Sequence, residues 1–297
     1  MVEHISLLSR RAFLAAAGIG LWSLPARAGA ERQPRVVSLD YGLASTLLSL
    51  GLTPVGIAGV ADWGKWVVEP PLPPEVADVG DAVMVNLEAL TALSPTLILS
   101  TPYLDGLTPV LEKIAPVLRL SVYDASGGAV LPKAEEATRV LGDHLGRRAE
   151  ADAFLLGADR HFQRCRDTVR AAGAPSVALI SFLDARHARV YTAPGLFDDT
   201  LARIGMRNAW PRPGQYWGFE TISIEALAEI DAPDAHLIAF EPLPREVLPT
   251  LRQSPIWTSL SFVRDGRFAV LPETLMFGMV NEAMRFAGQM ADYVGRV

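Results

Sequence analysis

Val85–Tyr103, VNLEALTALSPTLILSTPY, is the stretch whose reading decides the fold. Asn86 is placed to cap a short helix, Glu88 falls in its first turn near the positive end of the helix dipole, and Ser94-Pro95 ends it. Thr96-Leu97-Ile98-Leu99-Ser100 is then a continuous apolar run between prolines, which suits a parallel strand covered on both faces. Tyr103 follows its carboxyl end. The pattern returns in the second half of the chain. Ile222–Ile230 leads through Ala232-Pro233 into Ala235-His236-Leu237-Ile238-Ala239-Phe240. Asn86-Leu87-Glu88-Ala89-Leu90 matches Ser223-Ile224-Glu225-Ala226-Leu227 in polarity at every position. Two copies of one cap–helix–turn–strand unit predict two related α/β lobes.

Upstream, Arg35–Asp40 reads as a strand. A helix from Tyr41 carries Leu43, Leu47, Leu48 and Leu50 and stops at Gly51, and Pro54–Val60 is a second strand. That βαβ pattern with short connections points to a parallel sheet. Residues 61–80 hold Pro70, Pro71, Pro73 and Pro74, which excludes regular structure there. Trp63 and Trp66 in this loop either pin it to the core or face a ligand. A helix at 108–115 and a strand at 117–121 follow. From Pro132 to Gly173 strand signals vanish, with one interruption at Gly146. Arg148–Ala172 reads as a single helix of about 25 residues, roughly 37 Å long, a rigid strut between lobes. After Pro175 come strands at 176–181 and 189–191 and a helix at 196–204. An aromatic, Pro/Gly-rich loop at 208–219, the repeated unit, a helix near 245–252, a strand at 267–270 and a terminal helix at 280–293 complete the chain. The expected division is 1–28 export signal, 29–131 amino-terminal lobe, 132–173 helical linker and 174–297 carboxy-terminal lobe.

At 297 residues, half of them apolar and a fifth charged, the chain is long enough for two lobes with real cores. The net charge of −6 becomes more negative once the basic amino terminus is removed, which argues against a nucleic-acid grip or an anionic membrane surface. Ser9-Arg10-Arg11-Ala12-Phe13-Leu14 precedes an apolar run to Leu24 and then Ala26-Arg27-Ala28. This is a basic region, a hydrophobic region too short to span a bilayer, and a small-residue cleavage site. The paired arginines resemble the twin-arginine export signal, so a periplasmic location is expected. Cys165 is the only cysteine, which rules out an internal disulfide, and its helical setting predicts a buried thiol.

Four of the six tryptophans sit in two loops, one per lobe: Trp63 and Trp66, then Trp210 and Trp217. Tyr41 and Tyr103 lie just past strand carboxyl ends, where open α/β sheets bind ligands. An aromatic cleft of this kind suits a bulky, largely uncharged ligand. The sequence has no Gly-x-Ser-x-Gly elbow, phosphate-cradling glycine loop or Cys/His pair at motif spacing, so an enzyme is not expected. His144, His161, His187 and His236 all fall at or after the linker, so a metal site between lobes lacks first-lobe histidines. No cofactor is expected.

Trp66-Val67-Val68-Glu69-Pro70-Pro71-Leu72-Pro73, Asp78-Val79-Gly80, Asn86-Leu87-Glu88, Asp184-Ala185-Arg186-His187, Asn208-Ala209-Trp210 and Trp217-Gly218 accompany the paired arginines. Together they resemble the periplasmic ferrichrome/iron(III)-hydroxamate-binding proteins of ABC importers, over essentially all of the mature chain. The resemblance implies two Rossmann-like α/β lobes joined by one long rigid helix, a shallow aromatic cleft between them and little closure. It also implies a monomer that delivers a ferric hydroxamate siderophore to an inner-membrane ABC permease, the iron being held by the siderophore.

Carried over by position, Trp66, Tyr103 and Trp217 match pocket aromatics, and Tyr41 stands where a Trp is usual. The family's pocket arginine aligns with Ala82, a late tryptophan with Leu275 beside Met276 and Phe277, and a polar residue after Trp-Gly with Phe219. These departures point away from ferrichrome itself. Arg189 is the candidate replacement cation. The expected ligand set is therefore Tyr41, Trp63, Trp66, Tyr103, Arg189, Trp210, Trp217, Met276 and Phe277. Glu88 and Glu225 stand where acids of related receptors meet arginines on the two permease subunits. The alternatives are cobalamin, haem or a carboxylate siderophore as ligand and, from another class, a twin-arginine-exported enzyme.

Overall fold

The structure, a computed structural model, describes residues 34–296 except Ala82. The expected signal at 1–28, with Arg10 and Arg11, lies outside the described residues. The first lobe runs β1 (Val36–Ser38), α1 (Tyr41–Ser49), β2 (Gly56–Ile57), α2 (Trp63–Trp66), β3 (Ala77–Asp78), α3 (Leu87–Ala92), β4 (Leu97–Ser100), α4 (Thr108–Leu111) and β5 (Val117–Arg119). Its sheet is parallel throughout, in the order β3-β2-β1-β4-β5. Two helices follow, α5 (Val130–His144) and α6 (Arg148–Ala171). The second lobe runs β6 (Ser176–Phe182), β7 (His187–Tyr191), α7 (Leu196–Ile204), β8 (Arg207–Asn208), β9 (Phe219–Ser223) and β10 (His236–Phe240). It ends with α8 (Val247–Leu251), α9 (Pro255–Ser259), α10 (Ser261–Arg264), β11 (Phe268–Leu271) and α11 (Val280–Val294).

The repeat seen in the sequence is a repeat of topology. In the first sheet β4 lies between β1 and β5; in the second, β10 lies between β6 and β11, and all these pairings are parallel. Leu90 and Leu227, equivalent in the two copies, are both fully buried. The copies differ in the helix. Asn86 accepts the Ala89 N–H at 3.0 Å and α3 is an α-helix, whereas Ser223 makes no such cap and Ile224–Glu229 is 3₁₀. The second sheet also departs from the expected βαβ pattern. β7 pairs antiparallel with β6 and β9, giving the order β11-β10-β6-β7-β9. Residues 61–80 are more ordered than their prolines suggest. A 3₁₀ turn (Val60–Asp62) and α2 form before them and β3 after them, so the prolines interrupt rather than abolish structure.

α6 buries Ala151, Leu155, Ala158, Phe162, Cys165 and Val169, a three-and-four spacing that makes one apolar stripe. It is not a lone rod. α5 folds back beside it across the turn at Gly146, and α11 packs against α6, α7 and α1. One continuous core therefore runs from Val36, Leu97 and Leu99 on the first sheet, through Leu43 and Leu47 of α1 and the α5–α6–α7 layer, to Val177, Leu179, Ile238 and Phe240 on the second. Phe286 of α11 stacks on Phe197 at 4.4 Å within it. Two polar ties reinforce the join: Asn281 Nδ2 donates to Ser49 Oγ at 2.9 Å, and the Tyr123 hydroxyl donates to the Met276 carbonyl at 2.6 Å. A hinge between lobes would have to part this core, so close-packed interior holds the lobes as one body.

Glu282, in the first turn of α11, is 1% exposed and its carboxylate accepts the Met279 N–H at 2.7 Å. Burial lifts its pKa from the ordinary 4.5 to about 7, with Asp40 adding a smaller push the same way. Because the folded value exceeds the unfolded one, the relative stabilisation is complete below pH 4.5 and is lost as pH rises through about 7. Glu282→Gln keeps an acceptor for the Met279 N–H and never ionises. Thermal melts across pH 5–8 should lose much of their downward slope in this variant, with a gain at pH 8 of roughly 5 °C. An unchanged slope would mean that Glu282 is ionised throughout.

Candidate functional site

The carboxyl ends of the first lobe's strands open on a cavity of about 840 Å³, within the range usual for small-molecule sites. Leu39, Asp40 and Tyr41 enter it after β1, Ala58 and Gly59 after β2, Thr101 to Leu104 after β4, and Leu120, Val122 and Tyr123 after β5. A lip of Asp81, Val83 and Met84 stands at its edge, with both apolar side chains about three-quarters exposed. Asp81 holds this lip by accepting the N–H groups of Val83 and Met84, each at 2.7 Å. The second lobe supplies the facing wall: Trp217, Phe219, Leu275, Phe277 and Met279.

Tyr41 presents its ring rather than its hydroxyl. The O–H donates to the Gly59 carbonyl at 2.6 Å, and the ring meets Trp63 edge-on at 5.8 Å. Gly59 has φ +81°, and a Cβ there would collide with the Tyr41 hydroxyl, so only glycine permits this approach. Burial pushes the Tyr41 pKa up to about 12, helped by the carboxylates of Asp62, Asp78 and Asp81. Tyr103, by contrast, is 63% exposed and is the phenol free to meet a ligand. Asp40 caps α1 by accepting the Leu43 N–H at 2.9 Å, and burial raises its pKa to about 6.

Phe277 is the hub of the facing wall. Its ring meets Tyr123 at 5.4 Å, Trp217 at 5.8 Å and Phe219 at 6.3 Å, all edge-to-face. Trp217 also lies on Tyr216 at 4.4 Å. The loop bearing these rings is fixed by a close backbone crossing. Gly218 has φ +77°, and a Cβ on it would sit 2.8 Å from Gly195 Cα. Tyr123 is half-buried, and desolvation holds its pKa well above the ordinary value.

The structure thus brings together Tyr41, Tyr103, Trp217 and Phe277 from the expected set. Five others stand elsewhere. Trp63 is 3% exposed and its indole N–H donates to the Pro70 carbonyl at 2.9 Å, so it backs Tyr41 instead of lining the cavity. Trp210 is equally buried in the second lobe's core and donates to Glu220 Oε1 at 2.7 Å. Both indoles found polar partners nearby in sequence, Trp63 in its own loop and Trp210 on β9, which is what lets a tryptophan go inside. Met276 is buried behind the wall, and its carbonyl takes the Tyr123 hydroxyl. Arg189 lies over the Phe219 ring at 4.3 Å, with Nη1 3.9 Å from Met276 Sδ, and so braces the wall from behind. Trp66 is half-buried with Lys65 Nζ 4.1 Å from its ring centroid. It is four residues beyond the cavity-lining Asp62 and does not itself line the cavity.

Tyr123 escaped sequence reasoning, although the rule that singled out Tyr41 and Tyr103, a ring just past a strand's carboxyl end, applies to it after β5. Leu275 and Phe219, which depart from the pattern of the resembled family, both line the cavity. Glu88 and Glu225 lie outside it, and both are exposed. Glu88 follows β3, and Glu225 follows β9, which runs in the same direction as β6 and β10. Each glutamate therefore sits at the carboxyl edge of its own sheet.

A family model described as periplasmic binding protein matches residues 36–275. The chain belongs to the periplasmic binding protein family. The family's role is capture rather than turnover, and it implies a periplasmic substrate-binding protein serving an ABC importer. The iron(3+)-hydroxamate-binding protein FhuD of Escherichia coli K12 is 30% identical over 297 residues, covering 99% of each chain. The achromobactin-binding periplasmic protein of Dickeya dadantii is 29% identical over 180 residues, 58% of this chain and 55% of that one. Among solved structures of the family, the siderophore-binding protein FhuD of Vibrio cholerae with Fe³⁺-Desferal bound superposes with a TM-score of 0.82 at 26% identity, covering 89% of this chain and 98% of that one.

Proposed function

We propose that this protein captures a ferric hydroxamate-type siderophore in the periplasm and hands it to an inner-membrane ABC permease for iron uptake. One observation carries the reading: a full-length relative at 30% identity is an iron(3+)-hydroxamate-binding protein, and the cavity here is walled by the rings such a chelate needs. A ferric tris-hydroxamate is bulky and neutral at its iron centre, so it calls for ring surface and a few donors rather than strong opposite charge. Tyr41, Trp217 and Phe277 supply ring surface, and Tyr103 adds a phenol donor. Trp66 stands outside the lining, and Arg189 keeps Phe219 in place. Among the described residues no group of three or more His, Cys, Asp or Glu side chains could hold a metal ion, which suits cargo whose iron is already chelated.

In this reading the lobes bind without closing on the ligand, because their shared core resists a hinge. Export takes the twin-arginine route, the receptor works as a monomer, and Glu88 and Glu225 meet one permease subunit each. Titration of the purified protein with ferric trihydroxamates tests the ligand class. Quenching of tryptophan fluorescence that saturates at one chelate per chain, at micromolar affinity or tighter, is expected, with ferric citrate and haem giving none. Saturable binding of haem or a ferric carboxylate with none of a hydroxamate would overturn it.

A further inference from the structure

The cavity's two walls differ in charge. Asp40, Asp62 and Asp81 line it on the first-lobe side, and among the described residues no lysine or arginine lines it. The facing rings and apolar side chains of the second lobe carry no charge. Three cations on the elements that build the cavity are turned to other work, Arg119 being paired with Asp105. Arg189 lies against Phe219 and Met276 behind the wall, and Lys65 covers the Trp66 ring. Both also act on the half-buried carboxyl of Glu273, whose pKa burial raises to about 7, so that its partial charge offsets them only in part. Tyr41, whose ring lines the cavity, has its pKa raised first by burial and then by the carboxylates of Asp62, Asp78 and Asp81. Asp62 and Asp81 are themselves exposed, so their charge faces whatever enters.

From this asymmetry, and resting on the siderophore reading above, we propose that the cleft sorts ferric trihydroxamates by the charge of their periphery. Chelates with a cationic tail are favoured over neutral ones, and those with an anionic tail are disfavoured. Three hydroxamates neutralise ferric iron, so the chelate core carries no net charge and the tail alone sets the sign. The rings of both lobes hold the core of the chelate, and the tail points to the first-lobe rim where Asp62 and Asp81 stand. Opposite charge at that rim attracts the tail through solvent, so the preference weakens as salt screens it.

One linear trihydroxamate with a terminal amine provides the probes. Its ferric chelate is cationic as the free ammonium, neutral when N-acetylated and anionic when N-succinylated, with the iron centre unchanged. Affinities measured with the wild-type chain at low ionic strength should fall in that order, by about tenfold from first to last, or about 1.4 kcal/mol. The spread should shrink in added salt and in the Asp62→Asn/Asp81→Asn variant, where the asparagine at 81 keeps an acceptor for the Val83 and Met84 N–H groups. Equal affinities for the three chelates, tighter binding of the succinylated one, or a spread untouched by the double substitution would each overturn the proposal. If none of the three binds, the siderophore reading itself fails and the charge preference falls with it.

Discussion

Phe277→Ala should lower the affinity for a ferric trihydroxamate by about a hundredfold, or about 2.8 kcal/mol, without unfolding the chain. The size follows from its place in the wall. Its ring is in edge-to-face contact with Tyr123, Trp217 and Phe219, so truncation removes one contact surface and unseats two more. Trp217 would keep only Tyr216 as a ring partner, and Phe219 only the guanidinium of Arg189. The cost to the fold should be smaller than for a fully buried phenylalanine, because Phe277 is only partly buried and its site is already open to the cavity. Fluorescence titration gives the affinity and far-UV circular dichroism the fold. Trp210→Phe makes the contrast. Trp210 is core, bonded to Glu220, so its replacement should lower Tm and leave the affinity within about twofold, roughly 0.4 kcal/mol. Equal losses of affinity in the two variants would contradict the geometry of the cleft.

That contrast marks where sequence reasoning stopped. The two copies of the cap–helix–turn–strand unit were legible because each carries its own local signals: a polar cap, an apolar run and proline punctuation. Their strands, β4 and β10, take equivalent places in the two sheets, each second from an edge. α6 was legible almost to the residue, since a three-and-four apolar spacing sustained over six turns has few other meanings. What the spacing could not say is which surface the apolar stripe meets. The partners are α5, α7 and α11, and with α1 they turn an expected strut into a shared core. β9 was missed because Phe219–Ser223 is short and pairs with β7 across an intervening helix and loop, with no tight turn to announce a hairpin. Trp63 and Trp210 illustrate the same limit in the site. An indole in a proline-rich loop goes inward if its N–H finds an acceptor, and neither the Pro70 carbonyl nor Glu220 is identifiable as that acceptor from spacing. Tyr41, Tyr103 and Tyr123 obey a rule of topology, which sequence does encode.

Charge reversal at both proposed docking positions, Glu88→Lys with Glu225→Lys, should abolish uptake of the ferric chelate by cells while the purified receptor still binds it. The two carboxylates are one per lobe, exposed, and each opens a helical turn at the carboxyl edge of its sheet. Glu225 is held below the usual carboxylate range by its own backbone N–H and by Ser223. A lysine at either position opposes the helix dipole, which costs about 0.3–1 kcal/mol, too little to unfold a domain with ordinary stability. Across an interface the effect is larger. In the proposed docking, each reversal replaces an attraction to a permease cation by a like-charge contact worth several kcal/mol, and two together exceed what a transient receptor–permease complex can lose. Neither glutamate lines the cavity, so ligand affinity should stay within about twofold, roughly 0.4 kcal/mol. Cells expressing the double variant as their sole receptor should take up ferric trihydroxamate no faster than cells without it, and each single variant should fall between. Uptake at the unmodified rate would show that docking does not depend on these two charges, whereas loss of binding in solution would show that the substitutions reach the cleft.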